Sequence, residues 1–250
     1  MMEALTGKKE MIRQLKEKIL AMEGFGSVGD ARHLDFGLGQ VNHSFPGGIF
    51  PVGAMHEFVS PAETSFAAAN GFISGLLSTL LKNGGICMWI SAGRKLFPPA
   101  LKFFGIEPHR IIFIDVRTEK EALWVMEQAL KNNSLAAVVA ELRNVSFAES
   151  RRLQLAVSES RVTGFLHRHS PYINNTLACV SRWQIRPIAS RLPEELPGVG
   201  FPRWEVELMK IRNGKPGIWQ LEWQDGVFRH LTAQKQVVSD SITTKKERYA

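Results

Sequence analysis

The octapeptide Ser60-Pro61-Ala62-Glu63-Thr64-Ser65-Phe66-Ala67 sits between a short apolar run of strand type, Ala54–Val59, and a long apolar run free of proline, Thr64–Lys82. A strand-to-helix turn of this kind directs backbone N–H groups and the positive end of a helix dipole at one point, the natural place for an anion. Set against the phosphate-binding pattern G-x-x-x-x-G-K-[ST], Ser60 stands at the first glycine, Ser65 at the second, Phe66 at the lysine and Ala67 at the hydroxyl residue. Each change has a chemical consequence. Serine adopts poorly the positive φ with which glycine wraps a phosphate. Phe66 brings no ammonium to a triphosphate, Ala67 brings no oxygen to Mg²⁺, and Glu63 adds a like charge. One missing charge-assisted contact costs about 1.5–3 kcal/mol, and several are missing together. The expectation is a degenerate phosphate loop (Ser60, Ser65, Phe66, Ala67) without measurable ATP binding. A strand–turn–helix that never held nucleotide fits these residues equally.

Other chemistry is sparse. His167 and His169 have i, i+2 spacing, but no nearby cysteine or acid completes a metal site, and they read as a surface pair. No G-x-S-x-G occurs, so no serine nucleophile is indicated. Cys87 and Cys179 lie in apolar strand-like runs and read as buried free thiols. Trp183, Trp204, Trp219 and Trp223 read as sheet packing rather than base-stacking platforms. No catalytic residue, cofactor or metal is expected.

The elements that must position the loop follow from periodicity. Leu5–Met22 carries Met11, Leu15, Ile19 and Met22 at spacings of three and four, an amphipathic helix ended by Gly24 and Gly26. Strands are predicted at Ala54–Val59, Ile86–Ser91, Arg110–Asp115 and Leu135–Ala140. Helices are predicted at Thr64–Lys82, Phe97–Phe104, Thr118–Asn132 and Ser146–Ser158, the last two opened by the capping boxes Thr118/Glu121 and Ser146/Glu149. Strands alternating with helices imply a parallel sheet covered on both faces. After Arg161 the helices stop. Val162–His167, Leu177–Ile185, Trp204–Ile211 and Ile218–Trp223 read as a meander, with a hairpin turn at Asn213–Gly217. The organisation is an N-terminal helix (1–26), an α/β core (30–235) and a polar, disordered tail (236–250).

Composition sets the class. The chain has 250 residues, 44% hydrophobic and 22% charged, enough for one sizeable core. It has no apolar run long enough to span a membrane, and Met1–Ala21 lacks the apolar stretch of a secretory signal, which points to the cytoplasm. The formal net charge is +7, a balance that favours a polyanionic partner. Residues 151–215 hold 11 Lys or Arg against 5 acids, most of that excess. Arg151, Arg152, Arg168, His169 and Arg182 are therefore the candidate contacts to nucleic acid or a partner. Arg168 and Arg182 flank the loop His169–Thr176, whose one aromatic, Tyr172, suits single-stranded DNA; an ordinary sheet-edge loop is the plainer alternative.

Three segments carry a family resemblance. Phe45-Pro46-Gly47-Gly48-Ile49-Phe50-Pro51-Val52-Gly53-Ala54-Met55-His56-Glu57 is similar to the glycine-rich lead-in of the RecA phosphate loop. Gly105–Leu130 places a strand and helix after the same turn. Arg203–Leu208 through Gly217–Trp223 looks like the C-terminal hairpin of the ImuA family. The chain resembles RecA in element order and the ImuA family more closely, over about Gly37 to Leu231. The resemblance implies a RecA-like P-loop NTPase core with a mostly parallel sheet, a C-terminal antiparallel hairpin extension and a degenerate Walker A. It places Gly93 at the catalytic glutamate, Ala140 or Glu141 at the Walker B aspartate and Arg168 at the γ-phosphate-sensing glutamine, so that loop, base and sensor are all altered.

The function it implies is that of a non-catalytic accessory protein in SOS-induced, error-prone translesion DNA synthesis. Its partners would be an ImuB-like polymerase-related protein, an error-prone DNA polymerase III alpha subunit, and RecA with single-stranded DNA. A RecA-fold ATPase with an unorthodox site and a SulA-type cell-division inhibitor are the alternatives.

Overall fold

The computed structural model describes residues 34–82, 84–172, 175–190 and 200–231, with Glu10, Met11, Gln14 and Leu15 as helical residues ahead of them. The rest of the N-terminal amphipathic segment, the tail 236–250, Ile173, Asn174 and Arg191 lie outside the described residues.

Nine strands form one sheet in the order β3-β2-β4-β5-β1-β6-β7-β8-β9. They are β1 Met55–Ser60, β2 Cys87–Ser91, β3 Ile111–Asp115, β4 Ala137–Leu142, β5 Thr163–His169, β6 Ser181–Ile188, β7 Arg203–Ile211, β8 Gly217–Gln224 and β9 Val227–His230. The first six in space, β3 to β6, run parallel; β7, β8 and β9 follow antiparallel. Helix α1 (Glu63–Leu81) covers one face of the sheet, and α2 (Glu119–Leu130) with α3 (Phe147–Ser160) covers the other. A strand covered on both sides has no solvent face, which is why β4 is buried at all six positions.

Local chemistry sets the helix ends. The Thr118 hydroxyl accepts the Glu121 N–H at 3.2 Å while Glu121 Oε2 accepts the Thr118 N–H at 3.2 Å. Ser146 and Glu149 repeat the arrangement before α3. Both predicted capping boxes therefore form. Phe97–Phe104, expected as a short helix, is a 3-10 segment over Pro98–Phe104, since two successive prolines limit its hydrogen bonding.

The expected four-strand meander needs correction. β5 inserts between β4 and β1 and so leaves the meander, while β6 pairs parallel to the other side of β1 and antiparallel to β7, so the meander is β6 to β9. β9 was not foreseen. Its signal is Asp225-Gly226, at φ 54° and 76°, the two-residue turn that joins Gln224 to Val227 and needs positive φ at both positions.

The core on the α1 face is aromatic: Trp183 and Phe58 stack at 6.1 Å, Phe228 meets the rings of Phe72, Trp204 and Trp223, and Phe228 and Trp223 pack against Gly75. Trp183, Trp204 and Trp223 are buried, as expected of packing residues. Both cysteines are buried and free. A Cβ on Gly75 would lie 2.4 Å from Phe228 Cζ and 3.0 Å from Trp223 Cζ3. Gly75→Ala gains about 1 kcal/mol of helix propensity but overpacks the core at a cost of about 1–3 kcal/mol. The expected net result is a lower Tm by thermal circular dichroism.

Candidate functional site

The turn from β1 into α1 closes on itself. Ser60 Oγ lies 2.8 Å from His167 Nε2 on β5 and 3.2 Å from the Ser65 carbonyl oxygen. The Ala62 N–H donates to Ser65 Oγ at 3.2 Å, and the Phe66 N–H donates to the Ala62 carbonyl at 2.9 Å. Neither serine has positive φ. The loop is a strand-to-helix turn in which Ser60, Ala62, Ser65 and Phe66 bond one another. Phe66 is buried and its ring stacks on the His167 imidazole at 4.4 Å and 15°. His169 meets the same ring edge-on at 5.7 Å.

His167 is therefore not half of a surface pair. It is fully buried, between Ser60 and Asn70, whose Oδ1 lies 2.8 Å from Nδ1. Burial lowers its pKa to about 3, so the ring is neutral. The hydrogen-bonded layer extends to Glu141 at the end of β4, where the Trp89 indole N–H donates to Oε1 at 2.9 Å. Burial raises the Glu141 pKa to about 7, against the opposing pull of the Trp89 hydrogen bond, Lys95 and Asn70. Among the described residues no cluster of three or more His, Cys, Asp or Glu side chains could hold a metal.

The expectation of a site without any nearby cation is corrected by Lys95. From the loop after β2, its Nζ lies 5.2 Å from the Phe66 ring centroid and 2.8 Å from Glu63 Oε1. An ammonium thus lies over the Phe66 ring, and a carboxylate of the same turn holds it. The Glu63 pKa is lowered chiefly by its hydrogen bond to Lys95. The pair is exposed, and solvent screens it. Gly93 has φ 94°, with open space where a Cβ would be. Beside the turn, a mostly apolar cleft of about 440 Å³ runs between α1, the Pro98–Phe104 segment and Trp204, lined by Phe66, Ala67, Leu101 and Phe104 among others.

The five candidate contact residues do not converge. Arg168 is fully buried: NH1 donates to Glu57 Oε1 at 2.9 Å and Nε to the Arg143 carbonyl at 3.3 Å. Arg182 donates from Nε to Glu57 Oε2 at 2.7 Å and from NH2 to the Asn175 carbonyl. These two arginines neutralise a buried carboxylate, so the expectation that Arg168 meets a polyanion is replaced by a structural role. His169 faces Phe66 on the α1 side, and burial lowers its pKa. Arg151 and Arg152 are exposed on α3, in the opposite layer, and Arg152 pairs with Glu127. The residue missed by sequence reasoning on that side is Arg143, whose guanidinium carbon lies 5.0 Å from the Tyr172 ring centroid and whose NH1 donates to the Tyr172 hydroxyl.

Two outcomes follow. Removing Arg168 leaves a charge at Glu57 with half its compensation, so Arg168→Ala should cost about 3–5 kcal/mol in urea unfolding, whereas Arg151→Ala should cost almost nothing. The second concerns pH. Glu141 has a folded pKa of about 7 against 4.5, so its contribution is fully present below pH 4.5 and is lost as pH rises through 7. Glu141→Gln should therefore raise stability above pH 7, by on the order of 3 kcal/mol at most. His56 and His167, lowered to about 4 and about 3 by burial, act in the opposite sense. Their stabilisation is complete above pH 6.5 and declines as pH falls towards those values. Melting curves from pH 4 to 9 check both slopes.

No family model matches the chain. Protein ImuA of Caulobacter vibrioides is 34% identical over 204 residues in two strains, NA1000 / CB15N and ATCC 19089 / CIP 103742 / CB 15, spanning 77% of this chain and 84% of the relative. The cell division inhibitor SulA of Edwardsiella piscicida is 31% identical over 120 residues, 46% of this chain and 70% of that protein. The glycine-rich lead-in to β1, the closed turn at Ser60 and the β7–β8 hairpin thus sit in a chain whose similarity to ImuA runs through most of both sequences, and it belongs to the ImuA family.

Proposed function

We propose that this protein is a non-catalytic, RecA-like accessory factor of error-prone translesion DNA synthesis induced by the SOS response. The observation that carries the reading is the β1–α1 turn. In a parallel α/β sheet, this turn carries the Phe66 ring stacked on His167 where a phosphate loop has a lysine, and Ser60, Ala62 and Ser65 bond one another. Such a turn suits a protein that acts through surfaces. Family membership supplies the process: the chain would act with an ImuB-like polymerase-related protein, an error-prone DNA polymerase III alpha subunit, and RecA on single-stranded DNA.

The test is a pull-down with purified cognate ImuB-like protein and RecA. Retention of either, unchanged when ATP is withheld, is the expected result; no association with either removes the support for an adaptor. A second reading, a SulA-type division inhibitor, draws on the 31% identity over 120 residues. Overexpression distinguishes the two, since filamentous growth in cells deleted for the ImuB-like protein would favour division arrest.

A further inference from the structure

Lys95 acts on two carboxyl groups in opposite settings. Glu63, in the first turn of α1, is exposed, and its Oε1 lies 2.8 Å from Lys95 Nζ. Glu141, near the end of β4, is 5% exposed. Burial raises its pKa, and the same Lys95 charge works against that rise. Phe66 links the three. Its ring carries Lys95 at 5.2 Å and stacks on His167 at 4.4 Å, and His167 is the register partner of Glu141 across β4 and β5.

The surroundings of Glu141 suit an anion in all but solvent. The Trp89 indole N–H donates to Oε1 at 2.9 Å, and the Asn70 side chain supplies a second hydrogen bond. Asn70 Oδ1 lies 2.8 Å from His167 Nδ1, which leaves the Asn70 amide N–H for the carboxyl. Both donors favour the carboxylate and burial favours the neutral acid, with the balance at about 7. Other ionisable groups stand around it. Lys95 comes from the loop after β2, and Glu63 is beside it on α1. From β5 come His167, held neutral by burial, and His169, at the edge of Phe66. Arg143, in the loop after β4, acts on Glu63 and His169. Of these charges, it is Lys95 that bears on Glu141.

We propose that Lys95 is the moving part of a charge switch: it holds Glu63 while Glu141 is neutral, and turns inward to Glu141 when that carboxyl ionises. Screening decides the exchange. Glu63 and Lys95 meet in solvent, whereas Glu141 is buried. At equal distance, an ion pair at an effective dielectric constant of about 20 is about four times stronger than in water. Lys95 already overlies the Phe66 ring, so the exchange needs only rotation of its flexible four-carbon stem. Glu63 and Lys95 both line the cleft of about 440 Å³ beside the turn. Parting them removes an ion pair from its rim and opens the cleft as pH rises through neutrality. The switch does not depend on the accessory role.

Nuclear magnetic resonance of the full chain between about pH 6 and about pH 9 tests it, with the glutamate carboxyl carbons and the lysine ε-methylenes followed together. The Glu141 carboxyl should titrate with a midpoint of about 7, and the Lys95 signal should move with the same midpoint. In Glu141→Gln the Lys95 signal should stay flat. Glu63→Gln, which removes the competitor, should lower the Glu141 midpoint, and Lys95→Met should raise it, each by about one pH unit. Emission of the neutral dye Nile red should rise with the same midpoint in the unaltered chain and not in Glu141→Gln. Circular dichroism shows whether each variant is folded. A Lys95 signal that ignores the Glu141 transition, a Lys95 signal that still titrates in Glu141→Gln, a Glu141 midpoint unmoved by both Glu63→Gln and Lys95→Met, or dye emission indifferent to pH would each overturn the proposal.

Discussion

One carboxylate organises the centre of this molecule. Glu57 lies on β1, the strand to which β5 and β6 both pair, and it is 1% exposed. Its two oxygens take Arg168 from β5 and Arg182 from β6, so the three strands are joined by charge as well as by their ladders. Burying such a group is costly unless its lone pairs are filled. The arginines in turn reach outward to the Arg143 and Asn175 carbonyls, which fixes the loops after β4 and β5. The apparent excess of basic residues in this part of the sequence is therefore partly internal, and less of it faces solvent than the formal charge suggests.

On the other side of the same strand, alternation sends His56, Phe58 and Ser60 towards α1. His56 is held between Ser181 Oγ at 2.6 Å and the Pro51 carbonyl at 2.7 Å, and it stacks on Phe50 at 4.5 Å. Adjacent residues of the lead-in motif thus serve opposite layers: His56 ties the glycine-rich approach to the sheet, and Glu57 ties the sheet to itself. Both roles are structural, and both are independent of a bound phosphate. Ser60 continues the pattern by closing the turn onto His167. Ser60, Ser65 and Phe66 of this turn are buried, whereas Ala67 is exposed.

Much of this was legible in the sequence. The α/β alternation, the two capping boxes and the apolar strands follow from periodicity and short-range chemistry. The remainder depends on long-range placement. Lys95 lies 32 residues from Glu63 in sequence, and no local signal says that it crosses to that turn. The burial of Arg168 and His167 follows from the insertion of β5 between β4 and β1, which a list of strands in chain order hides. Charge counting misled for the same reason: it weighs an arginine equally whether it meets solvent or a buried carboxylate.

The central proposal is that the turn between β1 and α1 does not receive a nucleotide, although Lys95 lies beside it. Isothermal titration of the full chain with ATP and Mg²⁺ tests this most directly. The account predicts no resolvable heat of binding, and the same for the Phe66→Lys variant, because Ser60, Ser65 and Glu63 still close the loop. Saturable micromolar binding to the unaltered chain, abolished by Lys95→Ala, would contradict it.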